Sequence, residues 1–284
     1  MARQGLFVGL VTLDLVYLTS GPPTNNQKIV AADYSVAAGG PATNAAVTFA
    51  HLGGYSRLLG VVGSHPVGHL IHTDLAHYAV EITDLSSNYS EPPPVSSIIV
   101  TEATGERAII SLNARKSQAK RDTIPANLLQ GVDIVLVDGH QIEVGQAIAE
   151  LAQASNIPVV LDGGSWKPGL EKALPLVTYA ICSADFCPPE CHREQVLNYL
   201  ASVGVSHMAI TQGDKPIQYF SAGGTGELPV PQINPVDTVG AGDIFHGAFC
   251  HHILQSEFTI ALQESAKVAS AACESFGTRR WLGH

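Results

Sequence analysis

The stretch NPVDTVGAGDIFHGAF, residues 234–249, joins a turn of small residues to the start of a helix. Apolar residues recur at helical spacing beyond the turn, which predicts a helix over residues 243–255. The first backbone N–H groups of a helix lack partners within it and carry partial positive charge. The small residues Gly240-Ala241-Gly242 leave those groups uncovered, so the turn is suited to bind an anion such as phosphate. The carboxylate of Asp243 follows directly.

The same stretch also has a purely structural explanation, because Asp is a common helix cap and Gly-Ala-Gly closes tight turns. A dinucleotide-binding turn fits less well, since G-x-G-x-x-G read from Gly240 would require glycine at position 245, which is Phe245. A P-loop is absent, because the sequence contains no Gly-Lys-Ser or Gly-Lys-Thr run. An anion site and a simple cap therefore both stay open at this point.

Composition and charge limit the partners of the chain. It has 284 residues, of which 45% are apolar and 14% charged, as is typical of a globular protein. Its formal charge of −10 argues against nucleic acid or an anionic membrane surface as the main partner. The first apolar run is too short for a secretory signal, and no segment approaches a membrane span. We therefore expect a cytoplasmic protein without nucleic-acid or membrane partners.

The cysteines do not indicate a metal site. There are five of them, an odd number, which fits a reducing compartment. Cys182, Cys187 and Cys191 lie near His192, but their spacing lacks the C-x-x-C pair of a zinc site. Buried or incidental thiols are the favoured interpretation.

The rest of the chain alternates short β-rich runs with helical stretches. Strands are predicted at residues 6–10, 58–62, 134–138, 159–162, 179–183 and 208–211. Helices are predicted at residues 42–52, 67–79, 143–155, 189–203, 243–255 and 257–273. This alternation predicts an α/β fold in which a mostly parallel sheet has helices on both faces.

Two insertions interrupt the alternation, at residues 15–38 and 93–115. Each predicts a pair of strands without a helix, and Thr104-Gly105-Glu106 fits the hairpin turn of the second pair. We expect the two pairs to form a small additional sheet that covers a site. The whole chain, residues 1–284, is interpreted as one domain with this sheet as its lid.

Polar residues collect where the predicted strands end. In sheets of this kind, ligands bind beyond the carboxyl ends of the strands. The residues found there are Asp14, Gly39 and Gly40 with Asn44, Asp138 with His140, Asp162, and Thr211 with Gly213. Each of them alone is ordinary turn chemistry. Their joint placement favours a ligand site.

Two motifs are specific enough to indicate a family. The first is Asp237-Thr238-x-Gly240-Ala241-Gly242-Asp243, followed by Phe245, Gly247 and Ala248. The second is the Gly39-Gly40 pair with Asn44. Together they resemble the ribokinase or pfkB family of sugar kinases, and the resemblance extends over essentially the whole chain. It implies a ribokinase-like three-layer α/β/α sandwich with a mostly parallel sheet and a small β-sheet lid.

The resemblance implies a role for each matching residue. Asp243 would be the catalytic base that takes a proton from the acceptor hydroxyl, and residues 240–243 would form the anion hole. The residues implied to bind the sugar are Asp14, Gly39, Gly40, Asn44, Asn113, Arg115 and Asp138. Those implied to bind ATP are Thr211, Gly213, Asp237, Thr238, Cys273 and Gly277. Asp162 and Asp185 are implied to bind a metal ion through water.

The resemblance also implies ATP and Mg²⁺ as cofactors, with K⁺ as a further candidate, and a homodimer formed through the β-lid. The ketohexokinase and sulfofructose-kinase branches are nearest, because residues 9–14, 104–110 and 137–140 look like their counterparts. The departures are Pro41 in place of a sugar-binding asparagine, His140 in place of an arginine, and Ser183-Ala184-Asp185-Phe186 in place of an Asn-x-x-Glu motif. The tail, residues 279–284, matches no part of the family pattern.

These observations predict an ATP-dependent kinase that phosphorylates the primary hydroxyl of a small sugar, a ketose or a related carbohydrate. One alternative is a nucleoside kinase of the same fold, for which Tyr17 and Tyr34 in the lid are candidate stacking partners. Another is a non-catalytic sugar-binding regulatory protein. Such a protein would be expected to have lost the base, and Asp243 is present.

Overall fold

The computed structural model describes residues 2–283. In chain order its strands and α-helices are β1 (Gln4–Val8), β2 (Thr12–Thr19), β3 (Asp33–Gly39), α1 (Pro41–His51), β4 (Tyr55–Gly60), α2 (Gly68–His77), β5 (Val80–Asp84), β6 (Val95–Thr101), β7 (Arg107–Ile110), β8 (Ile134–Val137), α3 (Ile142–Ala154), β9 (Val159–Gly163), α4 (Leu170–Ala173), β10 (Tyr179–Ser183), α5 (Val196–Ser202), β11 (His207–Gln212), β12 (Lys215–Ser221), β13 (Gly224–Leu228), α6 (Ala241–His252) and α7 (Phe258–Cys273).

The large sheet confirms the predicted α/β fold. Its strand order is β13-β12-β11-β10-β9-β8-β1-β4-β5. All neighbours from β11 to β5 pair in parallel, and the two last strands, β12 and β13, are antiparallel. Parallel strands require crossover connections, which explains why helices alternate with the strands along the chain.

The sheet lies between two hydrophobic cores because successive side chains of a buried strand point to opposite faces. In β1, Phe7 packs into the core that contains Phe49 of α1 and Phe249 of α6. Its neighbours Leu6 and Val8 pack into the other core, which includes residues of α3 and α5. This arrangement is the predicted three-layer sandwich.

Three strands of the large sheet, β5, β12 and β13, were not predicted. They lie at its two edges and are only partly buried, so their sequences lack the continuous apolar run of the central strands. The predicted helix over residues 189–203 was wrong in its first half. His192 and Gln195 form a capping box at the start of the short 3₁₀ turn Arg193–Gln195, and α5 begins only at Val196.

The small sheet, called the lid below, has the strand order β3-β2-β6-β7 and confirms the predicted pair of β insertions. Its strands β2 and β6 are parallel, and its other two pairs are antiparallel. The first insertion begins earlier than predicted, because β2 starts at Thr12. Asp14 therefore lies within a lid strand and does not belong to a loop after β1.

Among the helices of residues 2–283, none has the length and apolar character needed to cross a membrane. The cysteines of the described chain are free thiols, and Cys182, Cys250 and Cys273 are buried. This agrees with the interpretation of the cysteines as buried or incidental.

Candidate active site

The turn before α6 has the geometry of an anion hole. Gly240 is the N-cap residue and adopts the left-handed conformation, with φ 71° and ψ 6°, which glycine tolerates best. Ala241 N–H donates to Thr238 O at 3.3 Å. Within residues 2–283, no backbone acceptor is found for the N–H groups of Gly242 and Asp243. Two donors at the positive end of a helix are therefore available to an anion.

Asp243 is not a helix cap. No side chain caps α6, and Asp243 Oδ2 instead accepts a hydrogen bond of 2.8 Å from Asn44 Nδ2. Helices α1 and α6 bring these residues together because they pack closely at Gly247, where a Cβ atom would lie 2.3 Å from Ala45 O. The cap explanation that the sequence left open is thus not supported by the geometry.

The surroundings of Asp243 favour its protonated form, so its pKa is higher than that of an aspartate in water. Burial raises the pKa of Asp243 from 3.8 to about 7, and the negative charges of Asp162 and Asp14 add to this effect. The hydrogen bond from Asn44 and the nearby His246 oppose it. A carboxylate with a pKa of about 7 is matched to accept a proton near neutral pH.

Asp14 lies on the lid side of the site, where glycine makes room for its carboxylate. A Cβ atom on Gly39 would lie 1.9 Å from Asp14 Oδ2, and Gly40 adopts φ 98°. Thr12 Oγ1 donates to Asp14 Oδ1 at 2.6 Å. Burial raises the pKa of Asp14, and the hydrogen bonds from Thr12 and Ser96 lower it. Four of the predicted sugar-binding residues therefore lie close together. Asn44 contacts Asp243, and Asp14 lies against the Gly39-Gly40 pair.

Asp138 is placed differently. It is 1% exposed, and its carboxylate accepts hydrogen bonds from the backbone N–H groups of Leu10 at 2.8 Å, Ala42 at 3.2 Å and His140 at 2.8 Å. Three donors from three segments hold together the ends of β1 and β8 and the start of α1. This favours a structural role for Asp138, and its contact with a sugar stays a prediction.

The second lid hairpin ends in exposed residues. Asn113 adopts φ 53° and its Oδ1 accepts a hydrogen bond of 3.1 Å from Ser111 Oγ. Arg115 is exposed as well. Within residues 2–283, neither residue forms a hydrogen bond with Asp14 or Asp243, so their role in sugar binding stays a prediction.

Tyr17 and Tyr34 cannot stack on a ligand beside Asp14. They face each other across β2 and β3, and Tyr17 follows Asp14 by three residues in the same strand. Because side chains alternate between the two faces of a strand, both tyrosines point to the face opposite Asp14, where they are 38% and 65% exposed. The nucleoside-kinase alternative thereby loses its candidate stacking residues.

Several of the predicted ATP-binding residues form hydrogen bonds that connect the turn before α6 to the C-terminal segment. Asp237 accepts hydrogen bonds of 2.8 Å from Val239 N–H and from Gly277 N–H. The carbonyl of Cys273 accepts from the N–H groups of Val236 and Asp237. Asp237 and Gly277 therefore fix the shape of the turn, whatever else they bind.

Thr211 and Gly213 lie at the carboxyl end of β11, beside the end of β10. The carbonyl of Thr211 accepts a hydrogen bond of 3.0 Å from Ala184 N–H. Gly213 adopts φ 66° in the turn to β12, and a Cβ atom there would meet nothing within 4 Å. The backbone turn is accessible, and its contact with a nucleotide stays a prediction.

One arginine of the lid, Arg107, contacts the turn before α6, which the sequence did not predict. Arg107 Nη1 donates to Thr238 O at 3.2 Å and to Thr238 Oγ1 at 3.0 Å, and Thr238 Oγ1 donates to Gly105 O at 3.1 Å. The turn of the second hairpin therefore touches the anion-hole turn. Spacing in the sequence could not reveal this, because 131 residues separate Arg107 from Thr238.

A magnesium ion was expected near Asp162 and Asp185. Asp162 is buried, and its Oδ2 lies 3.4 Å from His246 Nδ1. This oxygen receives no hydrogen bond, because His246 Nδ1 lies closer to Gly242 O, at 2.6 Å. A buried carboxylate oxygen without a donor fits an outer contact to a hydrated cation. Asp185 is exposed and pairs with Arg193 at 3.2 Å. Within residues 2–283, no cluster of three His, Cys, Asp or Glu residues could hold a metal ion unaided.

The pfkB family carbohydrate kinase model matches residues 3–282. The chain is 25% identical to ribokinase of Bacillus subtilis (strain 168) over 290 residues, covering 98% of this chain and 95% of the relative. The structure of Arabidopsis thaliana ribokinase with ribose and ATP superposes with a TM-score of 0.77 at 21% identity and covers 100% of both chains. A structure from E. coli with ATP and Mg²⁺ gives a TM-score of 0.80 at 18% identity, covering 100% of this chain and 96% of the other.

Fold and similarity together define the class, a phosphotransferase, and its candidate site has two available N–H donors at a helix start with a carboxylate beside them. The chain belongs to the pfkB family of carbohydrate kinases, since the family model covers nearly all of it. It is an ATP-dependent sugar kinase of the ribokinase type, as predicted. The closer resemblance to the ketohexokinase and sulfofructose-kinase branches stays a prediction.

Proposed function

We propose that this kinase transfers the γ-phosphoryl group of ATP to the primary hydroxyl of a small sugar, a ketose or a related carbohydrate. The observation that carries the proposal is the pairing of a partly buried carboxylate, Asp243, whose pKa is raised to about 7, with the two unpaired N–H groups at the start of α6. Because the reaction uses ATP, we also propose that the protein acts in the cytoplasm.

Phosphoryl transfer depends on positioning and on stabilising charge that develops on the phosphoryl oxygens. The N–H groups of Gly242 and Asp243 would donate to those oxygens. Asp14 and Asn44 would hold the sugar hydroxyls, and Asp243 would accept the proton of the attacking hydroxyl. The predicted ATP-binding residues would lie on the nucleotide side of the turn at residues 240–242, and so would Arg107.

The proposal includes Mg²⁺, which when bound would neutralise charge on the nucleotide phosphates. Asp162 fits an outer contact to its water shell because Oδ2 is buried and without a donor. The exposed Asp185 would have to move from Arg193 to take part. A K⁺ requirement stays a prediction, and omission of K⁺ from the assay buffer would test it.

Nucleotide-dependent ADP release across a panel of ketoses, aldoses including ribose, sugar acids, sugar phosphates and nucleosides tests the proposed function. We expect the highest kcat/KM for a neutral sugar, because Asp14 and Asn44 offer an acceptor and a donor for hydroxyl groups. Preference for a nucleoside would favour the alternative kinase. Absence of turnover with every acceptor would favour a non-catalytic sugar-binding protein.

The pH dependence of the reaction is a further prediction. Asp243 accepts a proton only when ionised, so kcat/KM should fall about tenfold per pH unit below about pH 7, where its pKa lies. Asp162 raises the pKa of Asp243, so the Asp162→Asn variant should move this acid limb to lower pH whatever its level of activity. A profile that stays flat well below pH 6 in the wild type would contradict the assignment of the base.

The outer face of the lid supports the proposed homodimer. It exposes apolar side chains, namely Tyr17 (38%), Tyr34 (65%), Val36 (44%) and Ile110 (75%). A contiguous apolar surface of this kind commonly marks an interface. We expect a dimer at micromolar concentration in sedimentation, and a monomer for Val36→Glu. Leu70→Glu on α2, where Leu70 is 53% exposed, is the control and should stay dimeric. A fully active wild-type monomer would rule the lid dimer out.

A further inference from the structure

Arg279 lies in the C-terminal tail, which, contrary to the expectation from sequence, the family model matches as far as residue 282, and its side chain is only 8% exposed. Its Nη1 donates to Asn44 Oδ1 at 2.9 Å and to Thr278 Oγ1 at 3.1 Å. Its Nη2 donates to Ala38 O at 2.6 Å and to Asp74 Oδ2 at 3.2 Å, and Nε donates to Asp74 Oδ2 at 3.3 Å. All three nitrogens are occupied, so Arg279 is not placed to bind an anionic substrate.

The contact with Asn44 fixes the orientation of its amide group. A guanidinium can only donate hydrogen bonds, so Arg279 can contact Asn44 only through the carbonyl oxygen Oδ1. The amide nitrogen Nδ2 must then point the other way, where it donates to Asp243 Oδ2 at 2.8 Å. Without the arginine, the amide is free to turn and present its oxygen to the carboxylate.

We propose that Arg279 is a positioning residue for phosphoryl transfer, which holds the Asn44 amide so that it donates to Asp243. The inference rests on the proposed role of Asp243 as the base. Asp74 of α2 anchors the guanidinium, which also lies 5.4 Å from the ring centroid of Tyr78. The arginine therefore links a rigid helix to the reacting group through one amide.

The direction of the effect follows from the groups that face Asp243. These are Asn44 on α1, His246 on α6, Asp162 on β9 and Asp14 on β2. Burial and the two carboxylates favour the protonated form, whereas the Asn44 donor favours the ionised one. An Asn44 amide that turns its oxygen to Asp243 would favour the protonated form as well. Loss of Arg279 should therefore raise the pKa of Asp243.

The test compares Arg279→Gln with Arg280→Gln in the full-length enzyme. Arg280 is the matched control, because its guanidinium turns away to Asp33 at 2.7 Å and the side chain is half exposed. For Arg279→Gln we expect the acid limb of kcat/KM to move up by about one pH unit. Activity would then fall about tenfold on the acid side, and the deficit would shrink in alkaline buffer. Arg280→Gln should leave the profile unchanged.

A ¹³C NMR titration of the aspartate carboxyl groups gives a readout that does not depend on catalysis, with the Asp243 signal assigned by its loss in Asp243→Asn. The Asp243 titration should shift up in Arg279→Gln. If the acid limb is absent in the wild type, the base assignment fails, and the NMR titration still decides the role of Arg279. Should Arg279→Gln not fold, Arg279→Lys carries the same test, because it keeps a charge beside Asp74 but lacks the two-nitrogen fork.

A double-mutant cycle with Asn44→Ala tests whether Arg279 acts through Asn44. In that background Arg279→Gln should produce no further shift of the Asp243 titration. A full additional shift would contradict action through the amide. A uniform loss of activity at every pH, with an unchanged titration of Asp243, would show that Arg279 only stabilises the fold and would overturn the proposal.

Discussion

Asp243→Asn is expected to lower kcat by about 10²–10⁴-fold, because asparagine keeps the shape of the side chain but cannot accept the proton. Sugar and ATP should still bind, since Asp14 and the N–H groups at the start of α6 are unchanged. Turnover, nucleotide affinity and melting temperature measured on one preparation check this. A folded variant with ordinary turnover would mean that Asp243 is not the base.

The stability of Asp243→Asn provides a second check with a defined sign. The native state holds the Asp243 proton more tightly than the unfolded state, because folding raises the pKa from 3.8 to about 7. The wild type therefore loses stability as pH rises through that window, and the uncharged asparagine does not. The difference in melting temperature, variant minus wild type, should therefore increase as the pH rises through the same window. Asp122→Asn, in an exposed 3₁₀ turn, is the control and should change neither activity nor this difference.

Gly242→Ala is expected to lower kcat/KM by about 10²-fold without loss of stability. A Cβ atom at Gly242 would meet no protein atom within 4 Å, and alanine is the better helix former by about 0.5–1 kcal/mol. In our proposal the phosphoryl oxygens occupy this open space, so the added methyl group would keep them from the N–H donors. Steady-state kinetics at varied ATP concentration measure the change in kcat/KM, and thermal unfolding measures the stability.

Two other glycines provide controls for Gly242→Ala. Gly223→Ala adds a methyl group in an exposed turn, with the nearest atom, Ser221 Oγ, at 3.7 Å, and should change neither activity nor stability. Gly240→Ala should instead destabilise the fold, because Gly240 has φ 71° and its Cβ would lie 2.9 Å from Thr278. Full activity in Gly242→Ala would contradict the position of the anion hole.

The fold was largely predictable because its signals are local. A buried parallel strand is a short apolar run, and an amphipathic helix repeats its apolar residues at helical spacing, so the central strands and most helices could be placed from sequence. The edge strands β5, β12 and β13 could not, because partial burial removes the apolar run that marks a strand. The turn at residues 240–242 and the helix that follows it were also predictable, since they depend only on small residues and a local helix signal.

The sequence by itself determined the α/β architecture, the lid, and the turn of small residues at a helix start with Asp243 beside it. Only the tertiary structure decided which groups surround that carboxylate. Asn44 is 199 residues from Asp243 in the chain, and Arg279 is 235 residues from Asn44, so no spacing rule could join them. The three backbone donors that surround Asp138 also come from separate segments of the chain, and the sequence did not reveal them. The physical reason is that the pKa and orientation of a buried group depend on burial and on neighbours from other elements, which appear only when the chain packs.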